Sequence, residues 1–140
     1  MRKNERIALL KQAFEEMGIT LKKQSVPDIY SFEYEHANFQ LYLDKGAKFF
    51  GFSQILIGLD GALTKEQFDT VMDVVVNFHK DYCGDWLEDI SFFYSPEYVL
   101  DDSVNATFLH NAITEFIEAW HFACANACIV TDTTIFDYFD

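Results

Sequence analysis

Residues 29–57 read IYSFEYEHANFQLYLDKGAKFFGFSQILI, and this stretch decides the fold. Tyr30, Phe32 and Tyr34 alternate with Ser31, Glu33 and Glu35, the period-2 pattern of a strand with one face in a core. His36-Ala37-Asn38 supplies a turn. Phe39, Leu41 and Leu43 then alternate with Gln40 and Tyr42, so the two runs predict a β-hairpin. Asp44-Lys45-Gly46 is a second turn, and residues 47–57 form the third strand of an antiparallel meander. This third strand is apolar on both sides. Phe49, Ile55 and Ile57 share one face, and Phe50, Phe52 and Leu56 the other, unless a bulge at Gly51 shifts the count. Such a strand lies mid-sheet with cover on both sides, or turns its second face to a partner.

Helices flank this meander. Ile7, Leu10, Phe14 and Met17 form a stripe that predicts a helix over 3–17, with Gly18 as its stop. Residues 19–26 read as a short strand ended by Pro27-Asp28. Thr64 and Gln67 match a capping box, and Phe68, Val71, Met72, Val75, Phe78 and Tyr82 continue one stripe, so a helix is expected over 64–83. Cys83-Gly84-Asp85 stops it. Residues 86–94 read as a strand with Ile90, Phe92 and Tyr94 on one face. Ser95-Pro96 interrupts it before a short strand at 97–100. Residues 103–128 form a long helix, with Ser103 as N-cap and Leu109, Ile113, Phe116, Trp120, Ala123 and Ala127 on its buried side. The order α–β–β–β–β–α–β(–β)–α lacks β–α alternation and indicates an α+β fold, an antiparallel sheet with helices packed against it. Residues 1–128 make one domain. Residues 129–140 are an acidic, aromatic, β-prone tail able to form a strand.

Composition narrows the function. The chain has 140 residues, half of them hydrophobic and 17% aromatic, enough for one domain with a large core. Its formal net charge is −13, which argues against binding nucleic acid by neutralising phosphates. Every Lys and Arg lies within residues 1–80, whereas residues 81–140 carry twelve acids and no base. The C-terminal part therefore offers an acidic face to a basic partner or to the more basic N-terminal part of a second copy. The charged start, Met1 to Arg6, leads into an amphipathic stretch rather than an apolar run, and no segment is long and apolar enough to cross a bilayer. Three cysteines without a C-x-x-C pair suit reduced, mostly buried thiols. The expectation is a cytoplasmic protein without membrane contact.

No residue set spells out a reaction. His121, Cys124 and Cys128 share one helix face but lack a clear fourth ligand, so buried structural cysteine is the better reading than zinc. The histidines are scattered and no nucleophile elbow is present. Asp101-Asp102 and Glu88-Asp89 do not fit a calcium loop. The glycines form no phosphate-binding motif. No catalytic residue, metal or cofactor is assigned.

The stretch from Ile29 to Asp44, followed by an apolar strand, resembles the YbjN-like family, which is similar in fold to class I type III secretion chaperones. The continuation from Thr64 to Phe68, then Val71 to Lys80, a strand and a long final helix, fits the same order over residues 3–125. The resemblance implies a small acidic α+β protein, often dimeric, without chemistry of its own. Its chaperone relatives hold partner segments in extended form. The expected function is thus a non-enzymatic interaction module, a homodimer that binds a polypeptide through a sheet edge or apolar groove. Tyr42, Phe49, Ile55 and Ile57 are the candidate partner-binding residues. The alternatives are a small-ligand-binding protein or enzyme with an aromatic pocket, and an acidic immunity- or antitoxin-like protein that neutralises a basic partner.

Overall fold

The computed structural model describes residues 1–58 and 61–126, apart from the side chains of Leu56, Ile57, Cys124 and Asn126. The meander forms as β2 (Ile29–Tyr34), β3 (Ala37–Leu43) and β4 (Phe49–Gly58), preceded by α1 (Lys3–Glu16) and β1 (Lys22–Lys23). Then come β5 (Gly61–Ala62), α2 (Lys65–Phe78), β6 (Cys83–Trp86), β7 (Ser91–Tyr94), β8 (Tyr98–Val99) and α3 (Ala106–Asn126). The strand order is β1-β2-β3-β4-β7-β6, antiparallel throughout. β8 pairs with the start of β4, and β5 folds back on its end.

The first turn is tighter than expected. Glu35 and His36 both take positive φ, 50° and 66°, and Tyr34 pairs with Ala37 across them. This is the type I′ geometry whose twist suits a two-residue hairpin, so Ala37 and Asn38 join β3 instead of the turn. At the second turn, Asp44 Oδ1 accepts the Phe49 N–H at 2.8 Å. That bond holds the Asp44 carboxyl below its ordinary range.

β4 carries no bulge at Gly51. Leu43 faces Phe50, Tyr42 faces Gly51 and Leu41 faces Phe52 without interruption. Even-numbered residues of β4 therefore point to one side of the sheet and odd-numbered ones to the other. The even side is the core. Phe50 and Phe52 are fully buried there with Phe39, Leu41 and Phe93. α3 crosses this side, and its Phe116 ring lies 4.9 Å from Phe93, 6.0 Å from Phe39 and 6.2 Å from Phe52. α1 adds Phe14 against Phe32 at 5.1 Å. α2 approaches β6 so closely that a Cβ at Gly84 would come within 3.0 Å of Met72 Sδ and Phe68 Cζ. All three described helices thus pack on one side of the sheet.

Several sequence expectations shift. The strand expected over 19–26 shrinks to Lys22–Lys23, because Asp28 takes φ 62° and turns the chain into β2. The capping box of α2 is present, with Thr64 Oγ1 accepting from Gln67 N and Gln67 Oε1 accepting from Thr64 N. The helix nevertheless ends at Phe78, not 83. Beyond it a turn through Lys80 and Asp81, closed by the Tyr82 N–H on the His79 carbonyl at 3.2 Å, drops Tyr82 into the core against Phe93 and Phe116. Phe78, assigned to the buried stripe, is 66% exposed and meets Phe122 edge-on at the helix ends. Residues 83–94 form a hairpin rather than a helix stop followed by one strand, closed by hydrogen bonds between Leu87 and Ile90. α3 starts at Ala106, since Asn105 Oδ1 caps the Phe108 N–H at 2.9 Å. Ser103 is instead tied to Asp101 through both its N–H and its hydroxyl. Cys83 is exposed rather than buried. Residues 129–140, together with Ala127 and Cys128, lie outside the described residues.

Candidate functional site: the sheet face away from the described helices

Tyr42, Phe49 and Ile55, named from sequence as partner-binding residues, all stand on the side of the sheet that no described helix covers. Ile57 continues β4 and pairs with Ala62, but its side chain lies outside the described part. Register extends the surface beyond these residues. Ile55 faces Phe92, Ser53 faces Tyr94 and Phe49 faces Val99, so β7 and β8 add three more apolar side chains. Phe49 and Val99 are 40% and 55% exposed, and Tyr42, Ile55, Phe92 and Tyr94 are half-buried.

The aromatic rings form a connected strip. Tyr42 meets Tyr94 edge-on at 6.1 Å, and Tyr94 stacks on Phe92 at 6.0 Å. The strip depends on Gly51. The Tyr42 ring lies over that glycine, and its hydroxyl donates to the Ser95 carbonyl at 3.4 Å. A Cβ at Gly51 would sit within 2.4 Å of both Tyr42 Oη and Cζ. Gly51→Ala is therefore expected to swing Tyr42 off the sheet and cost about 1–3 kcal/mol, read as a lower urea midpoint. An unchanged midpoint and an unchanged Tyr42 ring environment by NMR would remove the strip as described.

Beside the strip runs a buried polar row. Gln24 Nε2 donates to Ser31 Oγ at 2.6 Å, and Ser53 Oγ donates to Gln40 Oε1 at 3.2 Å. Gln40 Nε2 is buried and finds no acceptor among the described residues. A buried unmatched donor of this kind costs about 1–3 kcal/mol.

Two acids rim the strip. Burial, and then the charge of Glu97, push the Tyr42 phenol above its ordinary value. Burial and the charge of Asp85 push Tyr94 up to about 12. On the core side, burial and the charge of Glu115 bring Tyr98 to about 12 as well. In the unfolded chain each would titrate near 10. A raised folded value means the neutral form is favoured in the fold, so this stability is complete below pH 10 and is lost as pH rises through 12. Absorbance titration is expected to show Tyr94 and Tyr98 ionising well above pH 10, with the Tyr94→Phe chain losing one late step. Ionisation of every tyrosine together near pH 10 in the folded chain would contradict these environments.

The geometry favours a face over an edge. Both flanks of β4 are paired, by β3 on one side and by β7 and β8 on the other. Among the described residues the outer strands of the sheet are β1, which is Lys22-Lys23, and β6, which presents Asp85. Charged edges of this kind discourage strand addition. Sequence reasoning had already put Phe92 and Tyr94 on one face through their alternation. What it lacked was the pairing of β7 with β4, which joins that face to Tyr42 and Ile55. Among the described residues no group of three acidic, cysteine or histidine side chains is placed to hold a metal ion. No described helix is long and apolar enough to cross a membrane. No known family, curated protein or solved structure matches this chain.

Proposed function

We propose that this chain is a non-enzymatic interaction module that holds an extended, basic-flanked apolar polypeptide on the sheet face that no described helix covers. The observation that carries this reading is the half-buried strip of Tyr42, Tyr94, Phe92 and Ile55 bordered by Asp85 and Glu97. Apolar side chains of the partner fill the strip, and its Lys or Arg side chains meet the acidic rim. The element order that resembles the YbjN-like family supports the same reading. So does the net charge of −13, which favours a basic partner and accommodates an immunity- or antitoxin-like role. The exposed free thiol of Cys83 fits the reducing cytoplasm, which we propose as the compartment.

The test uses two acetylated nine-residue peptides, alternating Val or Phe with Lys in one and with Glu in the other. Fluorescence anisotropy is expected to show saturable binding of the Lys peptide, weakening as salt rises, and no binding of the Glu peptide. Equal binding of the two, or binding of neither, overturns the proposal. The homodimer belongs to this reading and has the opposite salt dependence, because two acidic rims repel when two copies meet. Light scattering is expected to give twice 16.3 kDa, more completely at high salt. A single-chain mass at all concentrations and salts removes the dimer.

A further inference from the structure

On the helix side of the sheet, at the β2–β3 turn, a cavity of about 140 Å³ opens between the hairpin and α3. Its walls include the rings of Phe39 and Trp120, both buried, and Tyr34. Its polar lining comes from Gln54, itself 5% exposed, with Glu35 and His121 exposed beside it. Glu35 is the one acid of this lining, and neither Lys nor Arg is among the described residues that form it. The type I′ turn fixes the position of Glu35, since its φ of 50° sets where the chain carries its side chain. The Glu35 charge also reaches the neighbouring phenol, adding to burial in raising Tyr34.

We propose that this cavity is a binding site for an organic cation, the guanidinium or primary ammonium head of a small molecule or side chain. Aromatic rings attract a cation through their negative faces, and a carboxylate beside them adds a charge-assisted hydrogen bond. The Gln54 amide is the one deeply buried polar side chain in the lining, and it can orient such a head. One carboxylate and one imidazole are too few donors for a bare metal ion, which narrows the ligand to an organic cation. The volume agrees. At about 30 Å³ per water, the cavity has room for about five heavy atoms, the size of a guanidinium with the first carbon of its stem. A second cavity of about 310 Å³ also borders Tyr34, whose hydroxyl meets His110 Nδ1 at 3.1 Å, leaving space for a longer stem. The negative potential of a chain at −13 raises the local concentration of any cation. This site lies across the sheet from the aromatic strip and stands on its own geometry.

The experiment titrates the full ¹⁵N-labelled chain with ethylguanidinium chloride and, in parallel, with the isosteric neutral ethylurea, at constant ionic strength. The guanidinium is expected to produce saturable shifts at the Trp120 indole N–H and the Gln54 side-chain amide, with ethylurea at least about tenfold weaker. Glu35→Gln is expected to weaken guanidinium binding about fivefold while leaving the thermal midpoint in place. Glu35 is exposed, and glutamine suits the same turn. Equal responses to the two probes, shifts confined to other residues, or unchanged affinity in Glu35→Gln overturn the proposal. A second arm compares ethylguanidinium with N-acetylarginine amide. Tighter binding of the arginine derivative assigns the site to a peptide-borne side chain, and equal or weaker binding assigns it to a free small cation.

Discussion

Phe116→Ala is expected to destabilise the fold by about 3–5 kcal/mol, the range for emptying a buried aromatic site. Phe116 is fully buried on α3 and its ring touches Phe39, Phe52, Tyr82 and Phe93. Those four side chains come from β3, β4, β7 and the turn after α2, so the cavity would open where the helix layer meets the sheet. The surrounding rings are large and planar and cannot collapse into the space without leaving their rotamers. Since small domains are stable by only about 5–15 kcal/mol, one substitution here removes a large share of the total. Urea denaturation at constant m is the measurement. Phe116→Leu, which keeps most of the volume, is expected to cost about half as much. A loss below about 1 kcal/mol for the alanine variant would contradict the packing described.

Ile55→Asp is expected to abolish binding of the Lys-bearing peptide while leaving the fold in place. Ile55 lies half-buried beside Phe92 on the face that no described helix covers, so an aspartate there reaches solvent. The strand pays about 1 kcal/mol for an acid where a β-branched residue stood. The strip loses a central apolar contact, and a truncated central residue commonly costs an interface about 2 kcal/mol or more. The informative comparison is Phe52→Asp, three residues away on the same strand but facing the other side. Phe52 is fully buried under α3, and a charge there has no route to water, so that variant is expected not to fold. If Ile55→Asp also fails to fold, both sides of β4 are core and the face is not a docking surface. Phe49→Ser, at a more exposed position of the same face, then separates lost folding from lost binding.

Much of the fold was legible because it rests on short-range patterning. The alternation of Tyr30, Phe32 and Tyr34 and of Phe39, Leu41 and Leu43 gave the hairpin and its buried side, and Thr64 with Gln67 fixed the start of α2. The two apolar faces of β4 were also visible in the letters. Errors arose where a longer-range contact outbid local periodicity. The stripe of α2 continues through Phe78 to Tyr82, yet packing of Tyr82 on Phe93 and Phe116 pulls the chain out of helix after Phe78. Gly84 read as a stop because glycine ends helices, whereas here its missing side chain admits α2 against β6. Ser103 looked like a cap, but its bonds go to Asp101 and leave that role to Asn105. The candidate face was half legible. Tyr42, Phe49 and Ile55 could be chosen from parity alone, while Phe92, Tyr94 and Val99 joined them only through pairings that span thirty residues or more.

The position of β4 has one more consequence, for the fate of the chain when it is not folded. Residues 49–58, FFGFSQILIG, contain no charge and no proline, and they combine aromatic with branched residues. Such a segment is a template for intermolecular cross-β stacking wherever its backbone is bare. In the finished molecule β3 pairs with residues 50–53, β8 with 49–50, β7 with 53–56 and β5 with 57–58, so every residue of it is paired on at least one side. Of these partners, β3 is a sequence neighbour, joined by a short loop. β7 and β8 arrive from beyond α2, so a nascent or partly unfolded chain holds a half-paired, uncharged strand until residues 91–99 dock. The acidic surface, with twelve carboxylates in the last sixty residues, then acts as a gatekeeper as well as a binding rim, keeping unfinished copies apart by charge.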